Sequence, residues 1–210
     1  MSKNKRNKKR YAKRQKTGLP FFQKFILIML TFVGTLTLLA GSIDGDIPIL
    51  TLNSSRQSDN DREAFIEKVA SYAVPLQDSH GIWPSVTIAQ AILESNWGES
   101  GLAVNESNYF GIKGSSYQPS YSTLEYEEGW VEIQASFRSY GSMEESVKDY
   151  ANLIANGTQW NADLYQPVIE ADNYRQAAKA LQTSGYATDP TYPEKLIDLI
   201  ERYDLDRFDD

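Results

Sequence analysis

Residues 84–98 run Pro84-Ser85-Val86-Thr87-Ile88-Ala89-Gln90-Ala91-Ile92-Leu93-Glu94-Ser95-Asn96-Trp97-Gly98, a string with the spacing of a helix. Proline is favoured in a first helical turn, where its missing N–H has no intrahelical acceptor to lose, so a helix is predicted to start at Pro84 or Ser85. Ile88, Ala89, Ile92 and Leu93 form its apolar face, and Gly98 marks its end. Glu94 falls in the last turns, on the side away from that stripe. There the negative end of the helix dipole and aromatics such as Trp97 both disfavour an ionised carboxylate. A carboxyl so placed can keep its proton near neutral pH and act as a general acid. A lone Glu near a helix end is ordinarily a solvated surface residue, so its meaning rests on its surroundings.

Upstream, residues 44–60 are polar and mixed, with Pro48 and Ser/Asn clusters, and read as a linker. A helix is predicted from about Asp61, with Phe65, Ile66, Val69 and Ala70 on one face. His80 falls between these helices in Ser79-His80-Gly81-Ile82-Trp83 and reads as structural. Downstream the period changes to two over about 121–137. Leu124 and Tyr126 fall on one side of the first run and Thr123, Glu125 and Glu127 on the other. Val131, Ile133, Ala135 and Phe137 alternate in the second, and Glu128-Gly129 between them gives a β-hairpin. Ser142 and Glu145 form an S-x-x-E capping box before Val147, Tyr150, Ala151 and Ile154. Two more helices are predicted over about 173–183 and 193–203. The predicted class is α+β, mainly helical, with one small hairpin.

Composition narrows the chemistry. The 210 residues include no Cys and one His, which excludes disulfides, a thiolate nucleophile, a Cys-based zinc site and a multi-histidine metal centre. No cofactor or metal is expected, and an enzyme of this composition would work with carboxylates and tyrosines. The net charge of −7 averages two unlike pieces: residues 1–24 hold ten of the 21 bases and no acid, leaving −17 on the remainder. That acidic excess argues against nucleic acid as a partner.

From Phe25 to Ile43 the chain carries no charge for 19 residues, which as a helix spans about 28 Å, roughly one bilayer core. Ten bases directly before it predict a cytoplasmic N-terminus and an exported remainder. The expected organisation is therefore a basic tail (1–24), a transmembrane signal-anchor (25–43), a linker (44–60) and an exported folded domain (61–210), with secretion as the alternative if the segment is cleaved. An exported domain without Cys also suits a Gram-positive type surface.

The string at 84–98 resembles the catalytic-helix motif of glycoside hydrolase family 73, the peptidoglycan endo-β-N-acetylglucosaminidases of autolysins and flagellar wall hydrolases. Three further strings agree in order and spacing: Asn108-Tyr109-Phe110-Gly111-Ile112-Lys113; Phe137-Arg138-Ser139-Tyr140 followed by Ser142 and Glu145-Ser146; and Tyr186-Ala187-Thr188-Asp189-Pro190 followed by Tyr192. The resemblance covers about residues 62–205 and implies a lysozyme-like fold, a helical lobe and a small β-lobe forming the two walls of a glycan groove.

It also implies roles. Glu94 matches the family's acid. The second carboxylate comes from the β-lobe, where Glu125 is the candidate and Glu127, Glu128 and Asp189 compete. An oxocarbenium-like transition state calls for such a pair, a proton donor on one side and a negative charge or activated water on the other. Tyr186 is a candidate for supporting a substrate-assisted route, or a packing aromatic. Asn96, Trp97, Asn108, Phe110, Asp189 and Tyr192 are candidate substrate contacts, with packing the alternative for Trp97. The implied partner is the peptidoglycan glycan strand, handled by a monomer. A muramidase or lytic transglycosylase on the same fold, or a non-catalytic wall-binding module, remains the alternative.

Overall fold

A computed structural model describes residues 48–209, with side chains from Ser58 onward. The basic tail and the apolar run at 25–43 lie outside the described residues. Among the described residues no helix is long and apolar enough to cross a membrane.

Among the described residues, seven α-helices, one hairpin and a 3-10 turn follow in the order α1 (Pro48–His80), α2 (Pro84–Ser95), α3 (Gly101–Glu106), β1 (Ser120–Tyr126), β2 (Trp130–Ser136), α4 (Met143–Asn156), α5 (Gln166–Ile169), α6 (Tyr174–Thr183), α7 (Tyr192–Arg202) and the 3-10 turn (Leu205–Phe208). The class is mainly helical α+β with a two-stranded sheet, as expected. The start of α1 differs from expectation. It begins at Pro48, so residues 48–60, expected as linker, are helical. No glycine interrupts that stretch and its one proline opens the helix, so nothing in it stops helix propagation. Ile66, Val69, Ala70, Ala73 and Leu76 form the buried stripe of α1.

The helix α2 occupies the centre and packs against α1, α6, α7 and the 3-10 turn. All its residues except Leu93 are buried. The expected one-sided stripe is thus a helix covered on all faces, and its polar residues Thr87, Gln90, Glu94 and Ser95 must find partners inside. Trp83, at its N-cap, supplies no side-chain cap. Asp209 supplies one instead: its Oδ1 accepts from Ser85 N–H at 2.8 Å, while its carbonyl accepts from Gln77 Nε2 at 2.8 Å.

The hairpin pairs antiparallel, with Tyr126 opposite Trp130, Glu125 opposite Val131 and Ser120 opposite Ser136. Glu128 takes the left-handed turn position, φ 57°. The covered face of β1 is the polar one, Thr123 and Glu125, while Tyr126 is exposed. At its base the hairpin rests on a small cluster of Leu102 and Phe137 flanked by Tyr121 and Ala135. The capping box at α4 forms with a shift: Ser142 Oγ accepts from Glu145 N–H at 3.2 Å, but Glu145 Oε2 reaches back to Gly141 N–H at 2.8 Å. The short helices α3 and α5 and the 3-10 turn have no counterpart in the sequence reading. Each is six residues or fewer, too short to carry a hydrophobic period.

Candidate active site

The last turn of α2 ends abruptly. Asn96 (φ 49°), Trp97 (φ 61°) and Gly98 (φ 81°) are all left-handed, and Ser95 Oγ accepts from Gly98 N–H at 2.7 Å. This reversal places Glu94 at the end of a buried helix with 3% of its surface exposed. Its carboxylate faces a chain of hydrogen bonds. Tyr192 donates from its hydroxyl to Glu94 Oε1 at 2.9 Å and accepts from Gln90 Nε2 at 2.9 Å. Gln90 Oε1 in turn accepts from the Tyr150 hydroxyl. Tyr186 stacks on Tyr192 with ring centroids 6.1 Å apart.

Burial pushes the Glu94 carboxyl up to about 8, partly opposed by the Tyr192 hydrogen bond and the positive charge of Lys195. The group therefore holds its proton at neutral pH, as its helix-end position suggested. The cause is removal from water rather than contact with Trp97. That ring packs instead against Phe65 and Tyr203 and under the Arg62 guanidinium.

The β-lobe carboxylates separate by environment. Glu125 is 9% exposed and accepts from Lys113 Nζ at 2.6 Å, whereas Glu127 and Glu128 are exposed at the hairpin tip. Thr123, two residues earlier on the same face, is buried with no protein partner for its hydroxyl. Of Glu125, Glu127 and Glu128, Glu125 is the one both covered and held by a cation; Asp189, outside the hairpin, is likewise buried and paired, with Lys195. The hairpin tip reaches the segment before α7 through Tyr126 N–H, which donates to Thr188 Oγ1 at 3.0 Å.

Several expected sugar contacts turn out to be the frame around these groups. Phe110 is fully buried and stacks on Tyr150 at 4.3 Å. Asn108 is buried and ties its own loop: its Nδ2 donates to the carbonyls of Ile112 and Arg138, and its Oδ1 accepts from Phe110 and Ile112 N–H. Asp189 accepts from the Thr191 N–H and hydroxyl and from Lys195 Nζ at 2.6 Å. Burial works to raise its pKa, but these partners outweigh it and hold the carboxyl below the usual value. Asp189 is thus spoken for, and it fixes the lysine whose charge acts on Glu94.

Tyr186 is fully buried and donates to the Phe110 carbonyl at 3.1 Å. Burial, with Tyr192 and Glu94 nearby, pushes its hydroxyl well above the ordinary value, so it does not supply a tyrosinate. Tyr192, expected at the sugar, instead holds Glu94. Asn96 is exposed and lies beside the candidate acid as the α2 C-cap. Among the described residues no group of three or more His, Asp or Glu side chains could hold a metal ion. His80 ends α1 and pairs with the Ser79 hydroxyl at 2.7 Å.

Gln90 and Lys195 escaped the sequence reading of the site, in which Lys113 has no definite role and Tyr150 reads as packing. One clue was available for Gln90, which sits four residues before Glu94 and so shares its helix face.

This arrangement has relatives. The family described as mannosyl-glycoprotein endo-beta-N-acetylglucosaminidase matches residues 70–205. The chain belongs to the glucosaminidase family. The chain is 44% identical over 167 residues to the exo-glucosaminidase LytG of Bacillus subtilis, an alignment covering 77% of this chain and 58% of LytG. It is 41% identical over 180 residues to a probable N-acetylmuramidase of Lactococcus lactis, covering 82% of this chain and 41% of that protein. The chain thus spans about half the length of these curated relatives. The crystal structure of the catalytic domain of the autolysin Auto from Listeria monocytogenes superimposes with a TM-score of 0.62 at 35% identity, over 79% of this chain and all of that one. The mainly helical fold with its small sheet is the lysozyme-like fold of the family.

Proposed function

We propose that the protein hydrolyses the β-1,4 bond between N-acetylglucosamine and N-acetylmuramic acid in peptidoglycan, with Glu94 as general acid. The observation that carries this reading is the buried Glu94 carboxyl, protonated at neutral pH and aimed by Tyr192. In this mechanism Glu94 gives its proton to the leaving glycosidic oxygen as the bond breaks. Glu125, anchored by Lys113, provides the negative charge or activates the water that meets the oxocarbenium-like centre. Tyr192, Gln90, Lys195 and Asp189 are positioning residues, acting through Glu94. Homology to an exo-glucosaminidase supports the glycosidase chemistry. The probable N-acetylmuramidases among the relatives favour a second reading, cleavage of the neighbouring bond by the same carboxylates.

The products separate the readings. Mass spectrometry of fragments released from purified wall is expected to show reducing N-acetylglucosamine ends. Reducing N-acetylmuramic acid ends would make the enzyme a muramidase, and 1,6-anhydro ends a transglycosylase. Glu94→Gln is expected to lower the rate by about 10²–10⁴-fold, the usual contribution of a positioned acid.

The same proposal includes location. Ten bases followed by 19 uncharged residues support a single-pass anchor with a cytoplasmic N-terminus, holding the domain near the outer face of the membrane. Cell fractionation is expected to recover the protein with membranes. Recovery in the medium, with an N-terminus beyond Gly41, would overturn the anchor.

A further inference from the structure

A cavity of about 600 Å³ opens where the loop following Ile112 meets the C-terminal end of α4, with Lys113, Gln118, Arg138, Thr158, Gln159 and Trp160 among its lining. Its size falls within the range of ligand-binding clefts, roughly 300–1,000 Å³. Two observations tie it to a purpose. First, it adjoins the candidate site: Lys113 lines it and also holds Glu125 at 2.6 Å.

Second, Trp160 is presented rather than merely left outside. It is 58% exposed, yet its backbone sits at the tip of a closed turn: Thr158 N–H donates to the Asn161 carbonyl at 2.9 Å, and Asn161 N–H returns to the Thr158 carbonyl at 3.1 Å. Gly157 makes the turn possible, with φ 64° and ψ −143°, where an added Cβ would lie 2.3 Å from the Asn161 carbonyl oxygen. An outward indole carried on a closed backbone turn beside amide side chains suits a pyranose ring, which offers axial C–H groups to an aromatic face and hydroxyl and acetamido groups to polar side chains.

We propose that this cavity is a distal saccharide subsite, in which Trp160 stacks on a sugar of the same glycan strand that lies across Glu94 and Glu125. The proposal rests on the glycosidase reading and names the part of the substrate held beyond the cleaved bond. Trp160 binds the strand and takes no part in bond breaking, so its contribution grows with the length of the substrate.

The test compares the full-length wild type with Trp160→Ala and Trp160→Phe on two substrates, the β-1,4-linked N-acetylglucosamine trimer and stem-free glycan strands from purified wall. Trp160→Ala is expected to raise KM for the strands on the order of threefold to tenfold, the size of one aromatic contact, without changing kcat or turnover of the trimer. Trp160→Phe is expected to restore most of the loss. An unchanged KM on strands, or an equal loss on both substrates, would overturn the subsite. If the wild type cleaves neither substrate, the glycosidase reading fails separately. Calorimetric titration with the N-acetylglucosamine hexamer then decides: weaker binding by Trp160→Ala upholds the subsite, and equal binding overturns it.

Discussion

At the scale of the residue, Glu94 owes its chemistry to burial, and burial has a cost that pH reveals. The unfolded chain releases this proton near 4.5, while the folded protein holds it to about 8. Across that window the folded state binds the extra proton, so stability falls as pH rises and flattens above about 8. Glutamine has the same shape and no such titration. Glu94→Gln is therefore expected to match the wild type near pH 4.5 and to melt progressively higher than it toward pH 8, in thermal scans at a series of pH values. The alkaline limb of kcat/KM should lie near 8 for the same reason. Because the Tyr192 hydroxyl pulls the Glu94 pKa down, Tyr192→Phe should move that limb upward. It should also cost about 1–3 kcal/mol in denaturant titrations by leaving Gln90 Nε2 without its partner. The helix end that carries Glu94 is legible from a proline start, a helical period and a glycine stop within 15 residues, while the acid role comes only from the resemblance of that string to the family's catalytic helix. Tyr192 as its partner is not legible, since 98 residues separate the two and only the packing of α7 on α2 joins them. For the same reason Phe110, Asn108 and Asp189 looked like ligands of the substrate: the sequence carries their chemistry but not the direction they face.

At the scale of the element, boundaries followed from local chemistry where a cap or breaker adjoins a helical period. Pro84 opens α2, Asn173 caps α6 by accepting from Gln176 N–H at 3.0 Å, and Ser142 caps α4. The start of α1 carries a proline too, Pro48, but the polar Ser/Asn-rich stretch behind it reads as linker, which sets the expected start 13 residues late. The hairpin was legible from its period, but not which face is covered. Leu124 and Tyr126 look like the inner set, yet the inner side is Thr123 and Glu125 because it bears the ion pair rather than a core. The segment after α4 makes a sharper demand on sequence. With φ at 64°, ψ at −143° and two carbonyl oxygens within 2.4 Å of where a Cβ would stand, Gly157→Ala is expected to destabilise by about 3 kcal/mol, measured by urea unfolding. Ala at the exposed neighbour Asn156 should change little by comparison.

At the scale of the whole molecule, the helical body and the hairpin differ in what holds them. The body shares one large core running from Ile66 to Leu205, while the hairpin has two strands and the small Leu102–Phe137 cluster. A two-stranded hairpin is marginal alone, so its opening should cost less than global unfolding. Hydrogen exchange is expected to show faster exchange in β1 and β2 than in α2. Thr188→Val, which removes the acceptor for Tyr126 N–H, should speed hairpin exchange about fivefold, the worth of one hydrogen bond, without moving the melting temperature. The cap that Asp209 places on Ser85 works at the same scale and sets an order of events. The helix bearing Glu94 is made early on the ribosome, yet its first turn stays uncapped until residue 209 has emerged. The helix that carries Glu94 thus reaches its finished setting only when the last described turn of the chain has docked on its first turn.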